Sequence, residues 1–326
     1  MKYLLIILIS VLPFSLVNGQ RVMSPDTARN IKPEGTLTLD RRFDDEVFAV
    51  GGDDKLLRIY SAGNMQLLKA YAFTAMIRNI SWHPQNKNIL AVTTGGNVNG
   101  ILHIEDNAFT QLDIPDGARA VSWNFNGQLL ATADNAGLIK IWNAKGALLR
   151  TIKKQDENSY FSLDWHPFKN LLVVSGDDIR IADTTGITHK VIKHRKENTG
   201  VLAVRWHPSG DFFVSGDYGQ AEEGIATLLQ FWKTDGTLIK TVKGSKGEIR
   251  NLEWDLSGQY LATASDRFRI WDRNGKLLNE TKEENSWWGI DWDHKSNMIL
   301  TAGFSGDIML WNKEGKLLQV IRGKAK

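Results

Sequence analysis

Apolar and polar positions alternate along most of this chain, and the alternation restarts about every forty residues. It is clearest at 202–216, LAVRWHPSGDFFVSG, and near copies of that phrase surround Trp82, Trp123, Trp165, Trp254 and Trp292. Two residues before each Trp stand Ile80, Val121, Leu163, Val204, Leu252 and Ile290. One residue before stand Ser81, Ser122, Asp164, Arg205, Glu253 and Asp291. Period-two alternation predicts a β-strand with one strongly apolar face. The phrases HPQN, HPFK, HPSGD and DLSG follow at once, and Pro, Gly and Asn supply the dihedrals of a chain reversal. A second apolar run such as FFV or YLAT then predicts a second strand.

A third and a fourth strand follow each pair. IKIWNAKGALLRTI from Ile139, LQFWKTDGTLIKTV from Leu229, FRIWDRNGKLLNET from Phe268 and IMLWNKEGKLLQVI from Ile308 each read as strand, turn with Gly, strand. Weaker copies begin at Leu57, His103 and Ile179, and TLTLDRRFDDEVFAVGG from Thr36 is a seventh first pair. Seven units of four strands therefore fill residues 36–322. One such sheet cannot bury both faces, so each must stack on a neighbour. Ten of the twelve Trp fall at the two repeat positions, where each large indole covers its neighbour.

A unit of this length whose third strand ends in Trp271-Asp272, with Trp142-Asn143, Trp311-Asn312 and Trp232-Lys233 as variants, resembles the WD-repeat β-propeller family. The resemblance implies an all-β fold: a seven-bladed β-propeller, four antiparallel strands per blade. It also implies a protein-interaction role. The family's Gly-His before the first strand is missing, the nearest match being Gly244-Ser245. Its Asp six residues before the anchor survives at Asp54, while Ala136 and Ser305 hold the matching places. Blade cohesion is therefore expected to rest on apolar packing, with most of the family's polar network absent.

The first residues differ from the rest. MKYLLIILISVLPFSLVNGQ has an early Lys, an apolar run broken by Pro13, and small residues before Gln20. Residues 1–19 read as a secretory signal peptide, or as a retained N-terminal anchor, and the apolar run is short for a membrane span. The expectation is an exported protein, periplasmic or at the cell surface, with an extension at 20–35 and a tail at 323–326. The absence of cysteine fits that setting and removes disulfides, thiolate metal sites and cysteine nucleophiles. A formal net charge of +3 with interspersed signs gives no pull toward nucleic acid. After signal cleavage no integral membrane segment is expected, and the propeller is expected to be monomeric by itself.

Motifs for chemistry are sparse. His83, His166 and His207 hold equivalent turn positions on different blades, too far apart around a ring to share an ion. His189 and His194 make no convincing ligand pair. Asp53-Asp54 and Asp177-Asp178 suit turn capping, and GGNVNG at 95–100 joins strands without opening a helix. No catalytic, cofactor or metal site is expected, and no convergent cluster of carboxylates is evident. What stands out lies on the rim bearing the loops between blades. There DENSYF, KENTGV and EENSWWG recur, and DYGQAEEG forms the longest loop. Arg78, Arg119, Arg250, Phe161 and Trp288 stand four residues before the repeat Trp, with Tyr160 and Trp287 one residue earlier. Arg and aromatic residues dominate protein–protein hot spots. The expected site is thus a channel-mouth rim of Arg78, Arg119, Tyr160, Phe161, Arg250, Trp287 and Trp288. It would bind a protein or peptide with an acidic or mixed contact surface. Adjacent strand residues face opposite ways, so Trp287 and Trp288 are not expected to be equally buried. Two alternatives are a glycan or small-ligand binder stacking on Trp287, Trp288 and Tyr160, and an exported hydrolase or lyase using channel carboxylates.

Overall fold

Each repeat Trp ends a strand that pairs with the apolar run after it: Trp82 lies across from Leu90, Trp206 from Phe213 and Trp292 from Ile299. The computed structural model describes residues 16–17, 20–153, 160–194, 200–282, 285–294 and 298–324. Most of residues 1–19, residues 156–159, 196–199 and 283–284 of the recurring phrases, and residues 325–326 lie outside the described residues. Within them the chain is a seven-bladed β-propeller, each blade an antiparallel sheet of four consecutive strands. The innermost strands are Thr36–Arg41, Ile77–Trp82, Ala118–Trp123, Ser162–Trp165, Val201–Trp206, Asn251–Trp254 and Trp287–Trp292, for blades 1 to 7. Blade 1 is extended outward by Gln20–Met23, paired with Leu67–Ala72, and by Leu16–Val17.

The core is a series of layers between neighbouring blades. Tyr160 and Trp165 of blade 4 pack with Ala131, Ala133 and Ile141 of blade 3, and Trp287 and Trp292 of blade 7 with Ala264, Phe268 and Ile270 of blade 6. A large residue on one blade meets a small one on the next. The extreme case is Gly216, where an added Cβ would lie 2.3 Å from Ile249. Burying a whole Trp at about 25 cal/mol per Å² makes these layers the main source of cohesion. The ring closes without strand exchange. Leu39, Phe48 and Val50 of blade 1 share a layer with Leu300, Ala302, Ile308 and Leu310 of blade 7, joined by Met23 and Ala28 of the extension. The extension is tied to both blades: Arg58 donates to the Ile31 carbonyl and the Lys324 N–H to the Pro33 carbonyl.

Cohesion is more polar than expected, which corrects the sequence reading. Trp142, Trp232, Trp271 and Trp311 donate their indole N–H to Thr132, Ser215, Thr263 and Thr301 at 2.8–3.0 Å. Carboxylates cap the turn before the third strand at Asp54, Asp134 and Asp217, which accept the N–H of Leu56, Leu138 and Leu228. His194 reaches Asp217 at 3.3 Å, both side chains buried. Fixed spacing concealed this network, because the loop between the Asp and the anchoring Trp differs in length from blade to blade. The turn histidines are interblade ties. Nε2 of His83, His166 and His207 meets the carbonyl of Gly127, Gly210 and Gly258 in the next blade at 2.9–3.1 Å. Their Nδ1 accepts backbone N–H groups. One nitrogen accepting and the other donating requires the neutral ring, and burial holds all three below the usual His value.

A channel mouth built from bulged strands

In strict alternation, the residue one before the repeat Trp and the residue four before it would face opposite sides. The inner strands break that rule. The pairing register skips one residue at Leu37, Arg78, Arg119, Leu202 and Trp288, between the flanking pairs. Each is the extra residue of a β-bulge, which re-aims its side chain. Phe161 and Arg250 stand at the same place, just before the shorter strands of blades 4 and 6. The bulge returns this position to the channel side while the preceding one stays sealed between blades. Ile77, Ala118, Tyr160, Val201, Ile249 and Trp287 are all at most 1% exposed.

All seven bulge-position residues, one per blade, line a single cavity of about 280 Å³ at the channel mouth, with Thr38, Asn79, Ser162 and Asn251. Of the expected rim residues, Arg78, Arg119, Phe161, Arg250 and Trp288 are brought together there. Tyr160 and Trp287 are not. They are fully buried in the interblade layers, because each precedes the bulge. Leu37 and Leu202 were overlooked, although the same count from the repeat anchor finds them.

The mouth is electrostatically uneven. Arg250 lies with its guanidinium 3.7 Å from the Trp288 ring centre and forms an ion pair with Glu248. Burial pushes Arg250 below its ordinary value, and Glu248 opposes that shift. Tyr218 of the long loop hydrogen-bonds Glu248, which raises the phenol. Trp288 donates to Ser286 at 3.0 Å and lies near Phe304. Across the mouth, Arg119 stacks on Phe161 at 4.8 Å, and burial and the neighbouring Arg78 lower its affinity for a proton.

Below the mouth lies a second cavity of about 210 Å³, and here the structure corrects a second expectation. Four carboxylates converge on the channel, Asp40, Asp164, Glu253 and Asp291, around Arg205. Asp164, Glu253 and Asp291 stand just before a repeat Trp, and Asp40 stands before Arg41, which takes the Trp's place in blade 1, so the register already held the signal. Three of them tie neighbouring blades through backbone N–H groups: Trp82 donates to Asp40 at 2.5 Å, Trp206 to Asp164 at 2.7 Å and Arg41 to Asp291 at 2.6 Å. The last bond closes the ring from blade 7 to blade 1. Arg205 meets Glu253 at 2.5 Å and Asp164 at 3.3 Å. Burial raises all four carboxyls above their ordinary values, and mutual repulsion adds to this at Asp40 and Glu253. Burial opposes the charge on Arg205, but Glu253, Asp164, Asp291 and Asp40 together hold it above its ordinary value. Among the described residues no three His, Asp or Glu side chains are arranged to hold a metal ion.

Comparison with known proteins agrees with this architecture. Residues 113–143, 187–220 and 236–272 match the WD domain, G-beta repeat. Three stretches of the chain are thus similar to WD40 repeats. It is 23% identical to intraflagellar transport protein 80 homolog of Mus musculus over 57% of this chain and 23% of that protein. It is 26% identical to the WD40 repeat-containing protein HOS15 of Arabidopsis thaliana over 74% of this chain and 40% of that protein. For the SIR4-interacting protein SIF2 of Saccharomyces cerevisiae the figures are 22%, 87% and 59%. The chain thus spans less than two thirds of the length of these relatives. The three matched WD40 segments cover parts of blades 3 to 6, and the structure carries the same four-stranded plan through blades 1, 2 and 7. Among the described residues no helix is long and apolar enough to cross a membrane.

Proposed function

We propose that this protein is an exported, non-catalytic interaction platform that binds a protein or peptide at the bulge-lined mouth of its propeller. One observation carries the reading: seven residues at one register position, three of them Arg and two aromatic, line the same cavity. A stiff sheet scaffold holds them, so little ordering cost attaches to their presentation. WD40 repeats support a protein-binding role, and the name of one relative states an interaction with another protein, SIR4. The positive mouth favours a partner whose contact surface is acidic or mixed. The leader-like character of residues 1–19 supports export to the periplasm or the cell surface, and the modest net charge of +3 with interspersed signs supports a partner other than nucleic acid.

The convergence of four carboxylates is what a hydrolase or lyase would need. Three of them, however, accept interblade N–H groups and the fourth is paired with Arg205. That engagement favours a structural use. A glycan-stacking surface loses two of its three rings, since Tyr160 and Trp287 are buried.

The test is capture of partners by crosslinking from native cell envelope, comparing the wild-type chain with Arg78→Glu/Arg119→Glu/Arg250→Glu. The triple reversal is expected to abolish capture; because Arg250→Glu sets a carboxylate beside Glu248, the melting temperature is measured alongside and capture is read on the folded protein. Undiminished capture by a folded triple variant would overturn the reading.

A further inference from the structure

Arg78 and Arg119 stand on adjacent blades, at the same bulge position, and both open into the mouth cavity. Neither has a carboxylate within ion-pair distance among the described residues. Arg250 and Arg205, by contrast, have carboxylates close by: Glu248 for the first, and Glu253 and Asp164 for the second. The Nε of Arg78 is buried without a hydrogen-bond partner. The face of Arg119 is occupied by Phe161, which leaves its edge donors directed elsewhere. Two half-buried cations side by side repel one another, and each retains donors that only an acceptor can satisfy. An oxyanion seated between them would relieve both costs, and Arg binds such groups through paired N–H donors. The surroundings select its kind. Leu37, Leu202, Phe161 and Trp288 supply apolar walls, and the space of about 280 Å³ suits one side chain or one chain end with its aliphatic stem.

We propose that Arg78 and Arg119 form a carboxylate-binding subsite within the mouth, which receives an acidic side chain or the C-terminal carboxylate of a peptide. The inference rests on the reading of the mouth as a docking site and deepens it. Arg250, already neutralised by Glu248 and stacked on Trp288, serves the apolar half instead.

The test uses fluorescently labelled tetrapeptides and the whole chain, read by anisotropy at constant ionic strength. Acetylated tetraglutamate with an amidated end offers only side-chain carboxylates, and acetylated tetra-alanine with a free end offers only the terminal one. Amidated tetraglutamine is the neutral control. Binding of the first or the second identifies the source, and the neutral peptide is expected not to bind. Arg78→Met and Arg119→Met, which keep the aliphatic stems, are expected each to weaken the charged peptide about tenfold or more. Arg150→Met, an exposed cation on the outer strand Leu148–Lys153 away from the mouth, is expected to change it by less than about twofold. Arg78→Lys and Arg119→Lys keep the charge, and are expected to retain part of the affinity even if a Met variant proves unstable. Failure of both charged peptides to bind, or an equal loss from all three Met variants, would overturn the subsite. If envelope capture still depends on the rim in that case, the platform reading survives without it. If capture ignores the rim, the platform reading fails on its own test.

Discussion

Replacing Arg205 with Met is expected to destabilise the propeller by about 3–5 kcal/mol at neutral pH, the cost of leaving buried charges without their partner. Arg205 is the cation shared by Asp40, Asp164, Glu253 and Asp291, with Glu253 at 2.5 Å and Asp164 at 3.3 Å, while Arg41 acts on Asp291 alongside it. Burial already holds these carboxyls above their ordinary values, and removing Arg205 raises them further. An acid whose folded value is raised binds more protons in the folded state than in the unfolded one, so stability falls as pH rises. The deficit of Arg205→Met relative to wild type should therefore be largest near pH 8. It should shrink on acidification, as the pH falls through the raised folded values toward the unfolded carboxylate value of about 4. Urea unfolding across that range measures it. A deficit independent of pH would show that lost packing, and not the carboxylates, is responsible.

The second large effect separates two neighbouring residues. Trp287→Ala is expected to cost about 3–5 kcal/mol, because the ring is fully buried between blades 6 and 7 and little can collapse into the space it leaves. Trp288→Ala should cost less than about 1 kcal/mol, since its ring lies at the mouth over Arg250. The functional order is expected to be reversed: Trp288→Ala should impair partner capture, and any capture lost in Trp287→Ala should follow the fraction unfolded. Equal destabilisation by the two changes would mean that the bulge does not set their orientation.

Much of this was legible in the sequence because a propeller writes its plan seven times. Blade number, the four strands of each blade and the packing role of the repeat Trp all follow from period-two alternation restarted at regular intervals. The rim was partly legible. Arg78, Arg119, Phe161, Arg250 and Trp288 were found by counting back from Trp, but ideal alternation does not say why that position should share a side with Asp40 or Glu253. The bulge supplies the reason, and no single residue type marks it. The same shift explains Tyr160 and Trp287, whose aromatic character suits a rim and equally an interblade layer. Three of the channel carboxylates, Asp164, Glu253 and Asp291, were visible as polar residues before a Trp, yet reading them as the outward half of an alternation hid their convergence. That convergence is a property of the closed ring, set by the blade 7 to blade 1 bond from Arg41 to Asp291. The turn Asp network escaped because its spacing varies with loop length.

The central claim is that a register shift in the inner strands turns one residue per blade into a common mouth and seals the residue before it. Because the chain has no cysteine, single Cys substitutions report this directly through maleimide labelling of the folded protein. Arg119→Cys and Leu202→Cys are expected to label rapidly, while Ala118→Cys and Val201→Cys, one position earlier, should stay protected until the protein unfolds. Comparable labelling within each adjacent pair, or faster labelling at 118 and 201, would contradict the account.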